Sequence, residues 1–320
     1  MSLAQTGLRV TALAGGVGGA KLAQGLARAV PAGELSVIIN TADDFEVYGL
    51  AISPDIDTVM YTLGGIANHA TGWGIAGDTR ATLDAIARYG EDPWFLLGDQ
   101  DFATHILRTA RLRQGQPLST VTADLASALG IDSHLLPMTD DRVATLVDTP
   151  DGRRDFQEYF VARQQQDTVS GIIFDGIEDA SPAPGVLAAL RDVDVIVFCP
   201  SNPIVSIGPI LAVPGIREAV ETSPAVRIGV SPLIGGKALK GPADKMLSSL
   251  GHEVSSVGVS RIYADLLDVL VIDEQDRALQ PEIEALGMRV IVTNTIMGDA
   301  EDRERLAREI LAAAVEDRAR

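Results

Sequence analysis

Cysteine is nearly missing from these 320 residues. Cys199 stands alone, so no internal disulfide staples the chain and no cysteine cage holds zinc. Histidine is sparse as well, and His105 has no second histidine at metal-ligand spacing, which argues against a zinc role. Positive charge is short: 26 Lys and Arg face 44 Asp and Glu, a net charge of −18. That balance excludes a nucleic-acid groove, which needs clustered cations along a phosphate track. It still permits a small anionic ligand held by backbone N–H groups, a few cations or a metal. No apolar stretch approaches the roughly 20 residues that span a bilayer. The polar start, Met1 to Arg9, lacks the apolar segment of a secretory signal. A cytoplasmic protein with no membrane or nucleic-acid partner is expected. There is no convincing internal repeat and no low-complexity tract.

What the chain does have is apolar mass. At 46% hydrophobic it can bury a large core, and one α/β domain over 1–320 is the default. Leu8 to Ala14 reads as a buried strand, Ala20 to Val30 as an amphipathic helix ended by Pro31, and Leu35 to Ile39 as a second strand. Such a unit opens a Rossmann-like, doubly wound, mostly parallel sheet whose post-strand loops gather on one edge. Thr58 to Leu129 is mostly helical by periodicity, interrupted at Thr71–Gly77 and Leu96–Asp101. Over 143–175 the texture changes. Short β-like pieces (Ala144–Asp148, Glu158–Val161, Val169–Phe174) alternate with turns, which predicts a smaller mixed α+β insertion packed on the main sheet. Strand candidates resume at Val193–Cys199, Val226–Val230, Val254–Gly258, Val269–Ile272 and Arg289–Val292. A last helix runs near Asp302–Val315, and charged Arg303 to Arg320 reads as a solvated helix face.

The chemistry concentrates behind the first two strands. Gly15-Gly16-Val17-Gly18-Gly19, with Lys21 just beyond, lets a backbone approach an anion at the positive end of a helix. It is neither a Walker A motif nor a clean dinucleotide fingerprint, and it also suits a turn that merely packs helix on strand. Asn40-Thr41-Ala42-Asp43-Asp44 follows the second strand, and Asp55 and Asp57 come soon after, in Ser53-Pro54-Asp55-Ile56-Asp57-Thr58. A helix cap would account for Asp57 but not for all four carboxylates. Mg²⁺, which takes a few carboxylates plus waters and substrate phosphates, fits the group. A cation would also relieve the mutual repulsion of four like charges. Two later loops should share the same edge. Ser201, Asn202 and Ser206 offer polar groups ahead of a helix, and Lys237 and Lys240 sit in a glycine-flanked loop, Ser231 to Pro242. Trp73 suits either an aromatic ligand wall or a core position. Asp78, Thr79 and Asp99 are ambiguous from physics alone.

Together these segments resemble the 2-phospho-lactate transferase family, also called CofD, which builds coenzyme F-420. The similarity runs in order through Ala14–Lys21, Asn40–Asp44, Ser53–Leu63, Trp73–Thr79, Leu97–Thr109, Leu136–Asp141, Phe156–Val161, Pro200–Ile210 and Ser231–Met246. Arg80 departs from the aromatic residue expected after Asp78-Thr79. The resemblance implies a homodimer and Mg²⁺-dependent transfer from a lactyl- or enolpyruvyl-diphospho-guanosine donor to the deazaflavin Fo, with GMP released. Gly18-Gly19-Ala20 leans toward the bacterial, enolpyruvyl-using members. On this reading Asp43, Asp44, Asp55 and Asp57 hold the metal, with Asp43, Asp55 and Asp57 acting in catalysis and Asp55 or Asp57 receiving the hydroxyl proton. Gly15, Gly16, Gly18, Gly19, Lys21 and Asn40 surround the diphosphate. Ser201, Asn202, Ser206, Lys237 and Lys240 serve the donor, and Trp73, Asp78, Thr79, Asp99 and His105 lie near the deazaflavin. A nucleotide-sugar-binding regulator of the gluconeogenesis-factor type is the alternative, disfavoured because the paired aspartates run into Phe45-Glu46-Val47-Tyr48-Gly49 rather than Gly-Gly-Ser-Ser. A nicotinamide oxidoreductase is weaker still, given Lys21 at the third glycine position.

Overall fold

Short apolar runs separated by helices give seven strands, and all seven join one parallel sheet. They are β1 (Val10–Ala14), β2 (Leu35–Ile39), β3 (His134–Pro137), β4 (Val195–Phe198), β5 (Val226–Val230), β6 (Val269–Asp273) and β7 (Arg289–Thr293). The order across the sheet is β3-β2-β1-β4-β5-β6-β7, each neighbour parallel to the next. This is the doubly wound arrangement, with its topological switch between β1 and β4. The computed structural model describes residues 7–318, so residues 1–6 of the polar start and the last two of the charged tail lie outside the described part. Among the described residues no helix is long and apolar enough to cross a membrane.

β1 is buried at every position because helices cover both of its faces. On one side, Ala12 and Val37 pack with Leu22 and Leu26 of α1 (Gly16–Ala29), Ile56 and Val59 of α2 (Pro54–Leu63), and Leu306 and Ile310 of the C-terminal helix Ala300–Arg318. On the other, Leu13, Ile38 and Phe198 pack with Val186, Leu190 and Ile216. The C-terminal helix is therefore not merely a solvated face. Arg303 is buried, and its backbone carbonyl lies against Gly25 of α1 so closely that any Cβ there would collide with it.

Three further helices, α3 (Ala81–Arg88), α4 (Asp99–Arg113) and α5 (Leu118–Ala128), fill the predicted helical region. Two expectations need correction. Val254–Gly258 alternates like a strand, yet Ser255 accepts a hydrogen bond from Gly258 N and caps a helix, Ser256–Ile262. Glu158–Val161 has β-forming residues but winds into a π-helical turn, Glu158–Ala162. The sequence also hid β3, whose apolar content is small for an edge strand, and a hairpin of Phe45–Val47 with Leu50–Ile52. Around the π-helical turn, Ala144–Thr149 pairs antiparallel with Gly152–Asp155 and Gly171–Asp175. This small sheet meets the acidic loop directly, because Thr145 N donates to Ala42 O at 2.6 Å.

Candidate active site

A cavity of about 560 Å³ opens at the switch point, where the loops after β1 and β4 diverge. That size suits a small-molecule ligand. Gly15, Gly16 and Gly18 form one edge, and Ser201, Asn202 and Ser206 form the facing edge. The glycines are small because the two loops nearly touch. A Cβ on Gly15 would lie 2.6 Å from Asp55 Oδ2 and 2.7 Å from Ser206 Cβ, and one on Gly18 would strike the Pro200 carbonyl oxygen. Ser201 Oγ accepts from Gly15 N at 3.1 Å and donates to Gly15 O at 2.8 Å, locking the loops together. Gly16 N is spent on Asp55 Oδ1 at 2.7 Å. The other first-turn amides of α1 have no partner within the helix, and Val17 and Gly18 border the cavity.

The four aspartates divide into two pairs. Asp43 and Asp55 lie side by side at the cavity. Asp55 sits in the first turn of α2 and accepts from Asn40 Nδ2 at 2.9 Å as well as from Gly16. Burial pushes its pKa up to about 6. Asp43 is shifted the same way: burial first, then the Asp55 charge, hold its carboxyl well above the usual range. Its Oδ1 is buried without any hydrogen-bond partner. Asp44 and Asp57 have other partners. Asp44 accepts from Ser53 Oγ at 2.6 Å and does not border the cavity. Asp57 does border it, but both of its oxygens are taken by the guanidinium of Arg108. The expected four-carboxylate cage is thus corrected. Among the described residues no group of three or more His, Cys, Asp or Glu comes together as a metal cage, and the pair Asp43–Asp55 is what fits a cation. An orphaned buried carboxylate oxygen beside a second carboxylate, facing a cavity, is hard-cation chemistry that phosphates and water can complete.

Arg108 is the residue that sequence reasoning missed. It is fully buried, and it is the centre of a network linking α2 to α4. Arg108 Nη1 lies 3.3 Å from His105 Nδ1, and His105 Nε2 lies 3.2 Å from Asp101 Oδ1. Tyr61 Oη donates to the same Asp101 oxygen at 2.6 Å. The geometry assigns His105 the tautomer with its proton on Nε2, leaving Nδ1 to accept from Arg108. Burial would raise the Asp101 pKa, but its neighbours, His105 first and then Tyr61 and Arg108, outweigh it, and the carboxyl stays below its ordinary value. His105 does border the cavity, yet both its nitrogens face the network. The only legible signal for Arg108 was its place on one helical face with Asp101 and His105, seven and three residues before it.

The cavity walls are aromatic and aliphatic. Phe156 and Phe160 stack at 5.5 Å and 5° on the insertion side, while Ile52, Phe95 and Leu97 line the cavity from the cluster around the hairpin. Trp73, 43% exposed, stands at the lip. Across the mouth Lys240 Nζ donates to Thr71 O at 2.8 Å.

Several expected site residues lie elsewhere. Lys21 Nζ points to Met297 O at 2.9 Å, and burial, then Arg303 and Lys240, lower its pKa. It does not line the cavity. Gly19 packs α1 on β1, its hypothetical Cβ 3.1 Å from Ala14 Cβ and 2.6 Å from Ser201 Oγ. Asn40 supports Asp55 from behind. Asp78 and Asp99 are capping residues rather than ligand contacts. Asp78 accepts from Gln100 N and Asp101 N at the start of α4. Asp99 accepts from Ala81 N and Thr82 N at the start of α3 and from the hydroxyl of Thr79. Those bonds, Thr79 first, hold the Asp99 pKa below its usual value. Lys237 is exposed on the hairpin of the 231–242 loop, outside the cavity.

Comparison with known proteins places the chain in one family. Residues 10–314 match the family model described as 2-phospho-L-lactate transferase CofD. A phosphoenolpyruvate transferase of Streptomyces griseus is 46% identical over 98% of this chain and 100% of its own length. A 2-phospho-L-lactate transferase of Methanosarcina acetivorans is 42% identical over 92% of this chain and 95% of its own. Among solved structures, a UPF0052 family protein of Bacillus halodurans superposes with a TM-score of 0.64 at 16% identity, covering 94% of this chain and 98% of the other. At that identity the likeness concerns the fold alone.

Proposed function

This chain belongs to the 2-phospho-L-lactate transferase CofD family, and from that premise we propose that it transfers a phosphoenolpyruvyl group from an enolpyruvyl-diphospho-guanosine donor to the terminal hydroxyl of Fo, releasing GMP, with Mg²⁺ as cofactor. The enolpyruvyl donor is preferred over the lactyl one for two reasons. The Streptomyces relatives named phosphoenolpyruvate transferase are 44% to 46% identical, somewhat above the archaeal lactate-named ones, and Gly18-Gly19-Ala20 points the same way. One observation carries the reading. A buried acid pair with an orphaned oxygen meets aromatic walls in one cavity, in a chain with only 4% aromatic residues. The pair suits a diphosphate-bound cation, and the walls suit a flat tricyclic ring.

Asp43 and Asp55 would hold the Mg²⁺, which when bound neutralises phosphate charge and polarises the phosphorus. The first-turn amides of α1 and Lys240 sit where the donor diphosphate would lie. Ser201, Asn202 and Ser206 supply polar contacts for the rest of the donor. Asn202 does so on a fixed backbone, since its Oδ1 accepts from Ile204 N at 2.9 Å. The acceptor ring lies between the Phe156–Phe160 stack and Phe95, which aims its ribityl hydroxyl at the acid pair. That oxygen bonds to the phosphorus bearing the enolpyruvyl group, and the bond to the GMP oxygen breaks with its electrons leaving on GMP. The hydroxyl proton passes to a carboxylate of the Asp43–Asp55 pair, because Asp57 is tied up by Arg108. Positioning and charge neutralisation supply the rate, as in other loose phosphoryl transfers.

The protein is also proposed to be cytoplasmic and homodimeric. The nucleotide-sugar regulator is set aside, since the transferase family match spans nearly the whole chain. The test is to incubate purified protein with Fo, Mg²⁺ and each donor separately, following GMP release and product mass. Coupled product and GMP with the enolpyruvyl donor are expected. GMP formation that does not depend on Fo, or no turnover with either donor, would overturn the proposal.

A further inference from the structure

The two aspartate pairs differ in what balances their charge. Arg108 is buried against Asp57, and its guanidinium also acts on Asp44; both attractions raise its pKa against the opposing effect of burial. Among the described residues no cation forms a salt bridge with Asp43 or Asp55. Their neighbours are neutral donors or each other: Asn40 and Gly16 donate to Asp55, and the two carboxyl charges repel. One half of the acidic crevice therefore carries its own counter-ion and the other does not; Asp43 Oδ1 and Asp44 Oδ1 are both buried without a hydrogen-bond partner, but of these two residues only Asp43 borders the cavity.

We propose that Arg108 is a positioning residue that occupies the place of a second metal, keeping Asp57 out of the ligand set and limiting this crevice to one divalent cation. The inference rests on the reading of Asp43 and Asp55 as the metal pair. Two-metal phosphoryl-transfer sites hold their ions about 4 Å apart on shared carboxylates. Here a guanidinium grips both oxygens of the carboxylate that would be shared. A second dication would have to displace a buried, bidentate arginine and sit beside its positive charge. The rest of the network supports the same outcome. His105 Nδ1 accepts from Arg108 Nη1, and Asp101 Oδ1, which takes the Tyr61 hydroxyl, lies 3.2 Å from His105 Nε2 on its other side. Arg108 is thus fixed from two sides.

The experiment counts Mn²⁺ ions bound per chain, by electron paramagnetic resonance and calorimetry, with GDP present as the diphosphate probe. The wild type is expected to bind one ion. Asp57→Asn should leave that ion's affinity within about threefold, whereas Asp43→Asn and Asp55→Asn should weaken it by about tenfold or more. Arg108→Met should admit a second, weaker Mn²⁺. The neutral pair Asp57→Asn with Arg108→Met, which leaves no unpaired buried charge, should return the count to one and keeps the test alive if the single variant fails to fold. Loss of the ion in Asp57→Asn, or two ions in the wild type, would overturn the proposal while leaving the transferase reading intact. Unchanged binding in both Asp43→Asn and Asp55→Asn, or no Mn²⁺ bound by the wild type, would instead overturn the metal assignment beneath it.

Discussion

Two carboxyl groups buried side by side make the protein's stability depend on pH in an unusual direction. Asp55 has a folded-state pKa of about 6 against an ordinary value of 3.8, with burial the cause. Asp43 and Asp44 are shifted the same way. A raised carboxylate pKa means that the native state binds more protons than the unfolded chain between the two values. Stability is therefore lost as pH rises through about 4 to 6, and Asp55 alone costs on the order of 3 kcal/mol above that window. Below about pH 4 both states are protonated and the penalty vanishes. Thermal unfolding in chelator should thus show the melting temperature falling across this range, and Asp55→Asn should flatten the fall. Added Mg²⁺ should raise the melting temperature more at about pH 7.5 than at about pH 5, where protons compete for the same oxygens. Equal Mg²⁺ shifts at both pH values would contradict the acid-pair site. The presence of this pair was legible in the sequence as an excess of aspartate. Its division was not, because the partner that splits it, Arg108, lies 51 residues beyond Asp57 and joins it only when α4 packs beside α2.

Helices in this fold are set by their ends and by their closest crossings. α3 and α4 cap each other: Asp99, in the first turn of α4, takes the first amides of α3, and Asp78, just ahead of α3, takes those of α4. Asp78→Ala should lower stability by about 0.5–2 kcal/mol and Asp99→Ala should lower it too, both measured by denaturant unfolding. The KM for either substrate should stay unchanged in Asp99→Ala, because no part of Asp99 reaches the cavity. A large KM change without a stability change would restore the ligand role that the motif suggested. At the other face, Gly25→Ala adds a methyl where the Arg303 carbonyl already stands. Helix propensity would favour alanine by about 1 kcal/mol, but overpacking of this kind costs about 1–3 kcal/mol, so net destabilisation is expected in the same unfolding assay. The parallel strands were legible because burial on both faces makes each a continuous apolar run, as in Val195–Phe198 and Val269–Asp273. Ser256–Ile262 was not, since its alternation mimics a strand and its Ser255 cap is a single residue. The π-helical turn at Glu158–Ala162 escaped for a similar reason: its β-branched and aromatic content reflects a wall, with Phe156 and Phe160 stacked toward the cavity.

Across the whole molecule, the site draws on residues from Gly15 to Pro242, so its assembly depends on sheet topology rather than on any one motif. The resemblance named the right family from scattered segments, while the aromatic walls needed three-dimensional placement, because Phe95 and Phe160 belong to separate apolar clusters that meet only at the cavity. If those walls hold the acceptor ring, Phe160→Ala should raise the Fo KM about tenfold or more and leave the donor KM nearly unchanged, since an aromatic–base stack is worth about 1–3 kcal/mol. The proposed homodimer belongs at this scale too. α4 turns Asp101, His105 and Arg108 inward and leaves Ala103, Ile106, Leu107 and Ala110 on its outer side. Ile106 and Leu107 are 52% and 48% exposed, and the four positions follow the i, i+3, i+4, i+7 spacing of one apolar face. An apolar stripe on the outside of a helix is stable in water only at a cost, and burying it against its own copy about a two-fold axis removes that cost on both chains at once. Ile106→Glu with Leu107→Glu should therefore keep the melting temperature of the fold but shift the mass measured by light scattering from dimer to monomer. Because the same helix carries Arg108 on its inner face, the monomer should also lose rigidity at the cavity floor, read as faster amide exchange along α4. A dimer that survives the double substitution would place the interface on another face.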